Sequence, residues 1–269
     1  MSEKSEFYLD MKEHFLTVPY LMTKRRVRVL LPKDYASDKN ATYPVVYFHD
    51  GQNVFFDNES YSGHSWGVIS TLKSNPKLPA MIVVGIDNDE EKRMDEYTPW
   101  PITDSPFLEN NEMGGQGYEY AAFVMDVVKP FIDEIYRTKA DKMHTAMIDS
   151  SAGENISAFM GIEYKKEIGR LGSFSLASWI APNAFNDYMS KHSLDMDQLV
   201  YIQVGTHEDE NLELKQAYID CSLDYARQLL LKGLPLENLS VNIFAEDRHN
   251  EKAWARHLFN CFRFISRDW

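Results

Sequence analysis

The sequence is poor in the features that mark several other protein classes. It has only two cysteines, 13 glycines and 11 prolines in 269 residues, which excludes a disulfide scaffold and a Pro/Gly-rich disordered chain. Cys221 and Cys261 fall in helical patterns, so we expect buried free thiols and a cytoplasmic protein. No apolar run reaches membrane-spanning length, and the first residues, Met1 to Glu6, lack the apolar segment of a signal peptide.

Positive charge is also scarce. Lysine and arginine total 28 against 41 aspartates and glutamates, for a net charge of −13, which disfavours nucleic acid or an anionic membrane as a partner. No cysteine and histidine residues stand at metal-ligand spacing, so we expect no metal site. We therefore expect a small-molecule ligand, with a homo-oligomer left open.

The sequence alternates short apolar runs with helical patterns, and its apolar content is 44 %. Several runs are apolar throughout, as in strands that are buried on both faces of a parallel sheet. The predicted strands are Arg25 to Leu31, Tyr43 to Phe48, Ala80 to Ile86, His144 to Ile148, Leu171 to Leu176, Leu199 to Val204 and Leu239 to Ala245. The alternation predicts an α/β fold, with a mainly parallel sheet, helices on both faces and one domain over residues 1–269.

The predicted helices include Trp66 to Leu72, Leu212 to Lys232 and a C-terminal helix that carries Trp254. A further amphipathic pattern, Gly117 to Tyr136, should kink at Pro130 because proline cannot donate a backbone hydrogen bond. In such folds, sites lie outside the carboxyl ends of the strands. The polar residues that follow each strand are therefore the candidates for function.

The chain is organised around Met147 to Glu154, where a strand pattern meets a small turn and then a helix pattern. A sharp strand-turn-helix junction exposes a serine hydroxyl and aims the free amides of the helix at developing negative charge. Ser151 and Gly153 fit the Gly-x-Ser-x-Gly pattern, but Asp149 replaces its first glycine. The alternative is a plain helix cap formed by Ser150 or Ser151.

A serine, an acid and a histidine each follow a predicted strand in chain order: Ser151, then Glu208 or Asp209, then His249. A serine hydroxyl needs an imidazole to take its proton, and a carboxylate to orient that imidazole. We favour Glu208 over Asp209 as the acid. The alternatives are an acidic helix start at residues 208–210 and a solvated loop histidine.

Asp50 to Asn53 follows another predicted strand and could supply a second amide to an oxyanion hole. We expect Gly51 to let the backbone approach the substrate, and the amides near Gln52 and of Ala152 to point at the oxyanion. A plain Asp-Gly turn is the alternative.

The segment from Asp87 to Gln116 is long and irregular, and segments of this length are usually functional or disordered. Aromatic residues that could form a substrate pocket, or simply pack in the core, are Tyr97, Trp100, Phe107, Tyr118 and Trp179.

Several ordered motifs together resemble the Putative esterase family of α/β-hydrolases. They are Tyr47 to Phe55, Val84 to Asn88, Asp95 to Trp100, Ser150 to Gly153, Leu171 to Ser175 through Trp179, and His249 to Glu251 through Trp254. The family includes enterochelin esterases, feruloyl and acetyl-xylan esterases and S-formylglutathione hydrolase. The resemblance runs from about Arg25 to the C-terminus. It implies an α/β-hydrolase with little or no lid that cleaves carboxyl esters without a cofactor.

Where the family usually reads Gly-Ser-Ser-Met-Gly-Gly, this chain has Asp149 and Glu154. A carboxylate at position 149 would destabilise an oxyanion if it faced the substrate. It would not affect the reaction if it pointed away from the substrate, behind the turn. The leading hypothesis is therefore a serine carboxylesterase acting on a small or aromatic acyl ester. The alternatives are a catalytically weakened homologue that binds a ligand or partner, and an acyltransferase.

Overall fold

A computed structural model describes residues 10–108 and 113–269 of the chain. The sequence-based interpretation of Met1 to Glu6 concerns residues outside this part. Residues 109–112 of the long segment also lie outside it. The centre of the fold is an eight-stranded sheet in the order β1-β2-β4-β3-β5-β6-β7-β8. Its strands are β1 (Asp10–Val18), β2 (Thr23–Leu31), β3 (Val45–Phe48), β4 (Ile82–Ile86), β5 (Thr145–Ser150), β6 (Arg170–Phe174), β7 (Leu199–His207) and β8 (Leu239–Arg248).

The sheet is parallel from β4 to β8, and β1 and β2 form an antiparallel edge. The helices are α1 (Val68–Ser74), α2 (Arg93–Glu96), α3 (Gly117–Ala122), α4 (Lys129–Ile135), α5 (Ser151–Glu163), α6 (Pro182–Lys191), α7 (Leu212–Leu231), α8 (Glu251–Ala255) and α9 (Leu258–Ile265). The predicted α/β class and the mainly parallel sheet are confirmed. The predicted strands each correspond to a strand of the sheet, with ends that differ by a few residues.

The core lies on both faces of the sheet because the side chains of a strand alternate between them. In β3, Val45 and Tyr47 enter the larger core, while Val46 and Phe48 enter the smaller one. Residues of α3, α5, α6 and α7 contribute to the larger core, and residues of α1, α8 and α9 to the smaller one. The predicted arrangement of helices on both faces is therefore confirmed.

Three elements, β1, α2 and α6, were not predicted from the sequence, and α2 lies in the segment from Asp87 to Gln116 that was expected to be irregular. The sequence of β1, Asp10–Val18, is largely polar, and only Val18 in it is buried, because the strand forms the antiparallel edge of the sheet. It pairs with β2 through a tight turn in which Met22 has a φ of 56°. An edge strand of this kind lacks the apolar run that made the inner strands recognisable.

The predicted helix from Gly117 to Tyr136 is present but is not uniform. A π-helical segment, Phe123–Val128, joins α3 to α4. Pro130 stands in the first turn of α4 and has no amide hydrogen to donate, so the expected disturbance takes the form of a wider helical turn just before it. Within the part of the chain that the structure describes, no helix combines the length and apolar character needed to cross a bilayer.

Candidate active site

The predicted turn at Ser151 joins β5 directly to α5. Ser150 ends β5 with extended backbone angles, and Ser151 follows with a φ of 59°. A non-glycine residue with a positive φ is strained, and this strain at a strand-to-helix turn is the geometry that lifts a nucleophilic serine above a sheet. Ser151 is half-buried and lines a cavity at the carboxyl ends of the strands.

Asp149 lies behind this turn. Its side chain is 1 % exposed, and one carboxyl oxygen accepts a hydrogen bond of 2.6 Å from the Ser150 amide. The same carboxyl group packs on Gly153, whose missing Cβ would lie 2.6 Å from Cγ of Asp149. Burial raises the pKa of Asp149 well above its ordinary value, and the nearby charge of Asp50 acts in the same direction. The carboxyl group at position 149 is thus turned away from the cavity, and its burial favours the protonated form.

Glu154, in the first turn of α5, is fully buried in the same region. Burial raises the pKa of Glu154 well above its ordinary value, as does the neighbouring Asp149. An acid in the first turn was expected to suit the helix dipole. The burial of Glu154 opposes the charged form on which that interaction depends.

The acid and the histidine meet beyond the ends of β7 and β8. Nδ1 of His249 lies 2.7 Å from Oε2 of Glu208. The other oxygen of Glu208 accepts hydrogen bonds from the Gly205 amide at 2.6 Å and from the Ser175 hydroxyl at 2.7 Å. With three donors around it and 4 % exposure, this carboxylate is fixed in orientation. Asp209 instead accepts from the Asn211 amide at 2.7 Å, just before α7.

A further layer supports the pair of Glu208 and His249. Ser175, directly after β6, has a φ of 49°, which turns its hydroxyl toward Glu208. The same hydroxyl accepts a hydrogen bond of 3.0 Å from Nε1 of Trp254. The Trp254 ring also stands edge-on to the His249 ring, with centroids 5.0 Å apart. Ser175 and Trp254 lie in stretches that the family motifs include, but their hydrogen bonds had no signal in the local sequence.

The loop after β3 is shaped by Asp50, which has a φ of 47°. The Asp50 carboxylate is held by Nη2 of Arg93 at 2.6 Å and by Nδ2 of Asn88 at 2.5 Å. Burial by itself would raise the pKa of Asp50, but the Arg93 guanidinium outweighs it, so this pKa lies below its ordinary value. The Tyr97 hydroxyl accepts from the Asp50 amide at 3.0 Å. These contacts fix the loop that carries the predicted oxyanion donors.

The structure gives a packing reason for the glycine at position 51. A Cβ there would lie 2.6 Å from the carbonyl carbon of Gly85, so the close approach to β4 by itself requires Gly51. The next residue, Gln52, lines the cavity. Ala152 stands in the first turn of α5, where backbone amides have no partner inside the helix.

The cavity has a volume of about 520 Å³, which is within the range of small-molecule sites. Its lining consists of Asp50, Gln52, Asn53, Glu59, Tyr61, Ser62, Asn88, Glu90, Arg93, Ser150, Ser151, His249, Asn250, Glu251 and Trp254. The structure therefore brings Ser151, His249 and Gln52 together around one space, with Glu208 behind His249.

The aromatic residues predicted to bind substrate lie elsewhere. Trp100 and Tyr118 both pack on Phe159, at centroid distances of 6.0 and 4.8 Å. Trp179 lines a separate groove of about 280 Å³ and packs edge-on against Tyr218, with ring centroids 5.6 Å apart. The aromatic side chains that do line the catalytic cavity are Trp254 and Tyr61.

Tyr218 is the neighbour of the site that the sequence did not reveal. It lies on α7 with 6 % exposure, and its ring centroid is 4.5 Å from that of His249. On the helix it is one of several apolar-face residues, so its spacing alone indicates core packing. Among the described residues, no three His, Cys, Asp or Glu side chains are grouped so as to hold a metal ion.

The strand order, the turn at Ser151 and the placement of the site at the carboxyl ends of the strands define the α/β-hydrolase fold. The chain belongs to the Putative esterase family, whose model matches residues 19–265. It is a carboxylic ester hydrolase of that family.

Three comparisons show the extent of the likeness. An uncharacterised protein of Bacillus subtilis (strain 168), YbbA, is 25 % identical over 242 residues, which is 90 % of this chain and 92 % of YbbA. The crystal structure of an IroE-like serine hydrolase from Shewanella oneidensis matches with a TM-score of 0.74 and 18 % identity, over 96 % of this chain and 81 % of that one. The siderophore hydrolase EstA from Aspergillus nidulans matches with a TM-score of 0.73 and 15 % identity, over 96 % and 94 %.

Proposed function

We propose that the esterase works through Ser151 as nucleophile, His249 as general base and Glu208 as the acid that orients the histidine. The observation that carries this proposal is the 2.7 Å contact between Glu208 and Nδ1 of His249, beside a serine held at a φ of 59° in the same cavity. The carboxylate keeps the Nδ1 hydrogen in place, which leaves Nε2 free to accept a proton. Asp209 has no comparable contact with the imidazole.

In the proposed reaction, Ser151 Oγ attacks the ester carbonyl carbon while His249 takes the hydroxyl proton. The carbonyl oxygen becomes an oxyanion, for which we propose the backbone amides near Gln52 and of Ala152 as donors. Collapse of the intermediate expels the alcohol, which leaves with the proton held by His249, and an acyl-enzyme remains. Water then attacks that ester by the same path in reverse and releases the carboxylic acid.

The lining of the cavity supports a small acyl group as the preferred substrate. No aliphatic side chain occurs among the described residues that line it, so a long acyl chain would have only polar side chains and the rings of Tyr61 and Trp254 to pack against. An aromatic acyl group could contact Trp254. The free thiols of Cys221 and Cys261 support the proposed cytoplasmic setting.

A p-nitrophenyl ester series from acetate to octanoate, together with a fluorophosphonate probe, tests this function. We expect acetate and butyrate to be cleaved faster than octanoate, and the probe to label Ser151. Ser151→Ala should lose both labelling and turnover, whereas the matched variant Ser150→Ala should keep both. Turnover retained by Ser151→Ala, or labelling that maps to Ser150, would refute the assignment. A wild-type protein inert toward every ester and the probe would favour the ligand-binding alternative.

A further inference from the structure

The two edges of the sheet differ in how they are protected against pairing with another chain. β1, at one edge, carries the charged side chains of Asp10, Lys12 and Glu13, and charges of this kind keep an open strand from pairing. β8, at the other edge, has neither a charged residue nor a proline in residues 239–245. Among the described residues, β8 pairs only with β7, so the backbone groups along its outer side are available to another strand.

Two apolar side chains of β8 are exposed on the face of the sheet that α7 covers. Val241 is 40 % exposed and Ile243 is 47 % exposed. Side chains alternate between the two faces of a strand, and both residues share the face of Leu239, which belongs to the larger core together with residues of α7. Val241 and Ile243 therefore lie beside α7, at the open edge of the sheet.

The helix α7 presents further apolar side chains to the same edge. Leu223 and Leu230 are two helical turns apart on one side of the helix, and each is 41 % exposed. The other flank of α7 faces α6, because Gln228 donates a hydrogen bond of 2.8 Å to Asn186 there. Since β8 follows β6 and β7 in the sheet order, the flank of α7 away from α6 faces the outer edge. We call the following set the edge surface: Leu223, Leu230, Val241 and Ile243.

We propose that the edge surface and the open side of β8 form the interface of a homodimer, in which the β8 strands of two copies pair antiparallel about a two-fold axis. An antiparallel pair of identical strands is self-complementary, so a second copy supplies both a matching strand and a matching apolar flank. Opposite side chains of such a pair point to the same face of the sheet, so the axis must pass through a residue. With the axis at Asn242, Val241 of one copy lies opposite Ile243 of the other.

The charge of the protein favours a second copy in this register. Each chain has a net charge of −13, so two copies repel each other unless the surfaces that meet are uncharged. With the axis at Asn242, residues 239–245 of one chain lie opposite the same residues of the other, and none of them is charged. No like charges therefore face each other along the paired strands.

The size of the face also suits a dimer. The ten residues of β8, at about 3.3 Å each, make an edge about 33 Å long. The 20 residues of α7 run for about 30 Å beside it. The strand layer and the helix layer together are about 20 Å deep, so the flat projection of this face is about 650 Å². Side chains make the accessible surface larger than this projection, so it approaches the roughly 800 Å² that each partner of a stable interface buries.

The first test compares the mass in solution of the wild type, Ile243→Lys and a matched control, Ile135→Lys. Ile135 is 52 % exposed on α4, which lies beside β1 at the opposite edge, where the rings of Phe131 and His14 are 4.8 Å apart. Sedimentation velocity at micromolar concentrations should give twice the chain mass of 31.2 kDa for the wild type and the control. Ile243→Lys should weaken the dimer by about a hundredfold or more, because its ammonium group would be buried against Val241 without a partner.

The cavity lining includes no residue of α7 or β8, so the dimer leaves both catalytic cavities open. All three proteins should therefore cleave p-nitrophenyl acetate at the same rate. A wild type that stays monomeric would overturn the inference, as would a dimer that Ile243→Lys leaves equally tight or that Ile135→Lys weakens as much. Loss of turnover in every protein would instead count against the proposed function, since the mass measurement does not depend on it.

A second test, with Asn242→Cys, examines the register and decides the matter if Ile243→Lys does not fold. Because residue 242 lies on the proposed axis, the two introduced thiols should meet, and opposite residues of an antiparallel pair are close enough for a disulfide. Mild oxidation should link the two copies through residue 242, as identified by mass spectrometry of the linked peptides. Ile135→Cys should form no such link. A dimer of Asn242→Cys that forms no link at 242 would overturn the proposed interface.

Discussion

The carboxyl group of Asp149 lies directly on Cα of Gly153. A Cβ at position 153 would lie 2.6 Å from both Cγ and Oδ1 of Asp149, which is closer than carbon atoms can approach. The residue that departs from the usual turn pattern therefore occupies the space that Gly153 leaves open. The turn keeps its geometry at Ser151 because the larger side chain at 149 is accommodated behind the nucleophile and not in front of it.

Gly153→Ala is expected to destabilise the protein, because its methyl group has no room beside the Asp149 carboxyl group. The expected loss in the free energy of unfolding is about 1–3 kcal/mol, which is typical of overpacking in a core. Asp149→Gly in the same chain should recover most of this loss, since it removes the atoms that clash. Urea unfolding of the two single variants and the double variant measures the coupling. Strictly additive effects would show that the two residues do not compete for this space.

The contributions of Asp149 and Glu154 to the stability of the protein should fall as the pH rises above about 4. Burial holds the pKa of each carboxyl group well above its ordinary value of 3.8 or 4.5, so over the intervening pH range the folded state binds protons that the unfolded state has released. The stabilising contribution is complete below the unfolded pKa and is lost as the pH rises through the folded one.

Asp149→Asn should therefore gain more than about 1 kcal/mol in stability relative to the wild type on going from pH 5 to pH 8. Glu154→Gln should behave in the same way, and the exposed control Asp187→Asn should not. Urea unfolding at the two pH values is the measurement. Parallel stability curves for the wild type and both buried variants would contradict the neutral state of these acids.

Asp149→Gly is expected to leave the pH dependence of kcat in place. The carboxyl group is bonded to the Ser150 amide behind the turn, and burial favours its uncharged form, so it should exert little influence on the protonation of His249. The pH–rate profile of the variant with p-nitrophenyl acetate checks this point. An acid limb displaced to lower pH, with a higher kcat, would show instead that the carboxylate is charged and acts on the site.

Glu208→Gln is expected to reduce kcat by about a thousandfold or more, because an amide would no longer hold the required tautomer of His249. Asp209→Asn should stay within about twofold of the wild type, since Asp209 contacts the Asn211 amide and not the imidazole. Steady-state kinetics of both variants, with thermal melting to verify folding, give the comparison. A more severe effect of Asp209→Asn would transfer the orienting role to that residue.

The sequence by itself determined the α/β architecture, the family and the order in which Ser151, the acid and His249 follow strand ends. Apolar runs buried on both faces of a parallel sheet are recognisable locally, and so is a turn between such a run and a helix. The edge strand β1 was missed because its side chains are mostly exposed, so it has no apolar run by which it could be recognised.

Only the tertiary structure decided which groups meet. Glu208 and Asp209 are adjacent and chemically alike, yet one faces His249 and the other the start of α7. Tyr218 reaches His249 from a distant helix, and Asp149 turns behind Ser151, where burial raises its pKa. These relationships depend on contacts and burial between segments far apart in the chain. Local periodicity contains no information about them, because it reports only whether a residue faces the core and not what it meets there.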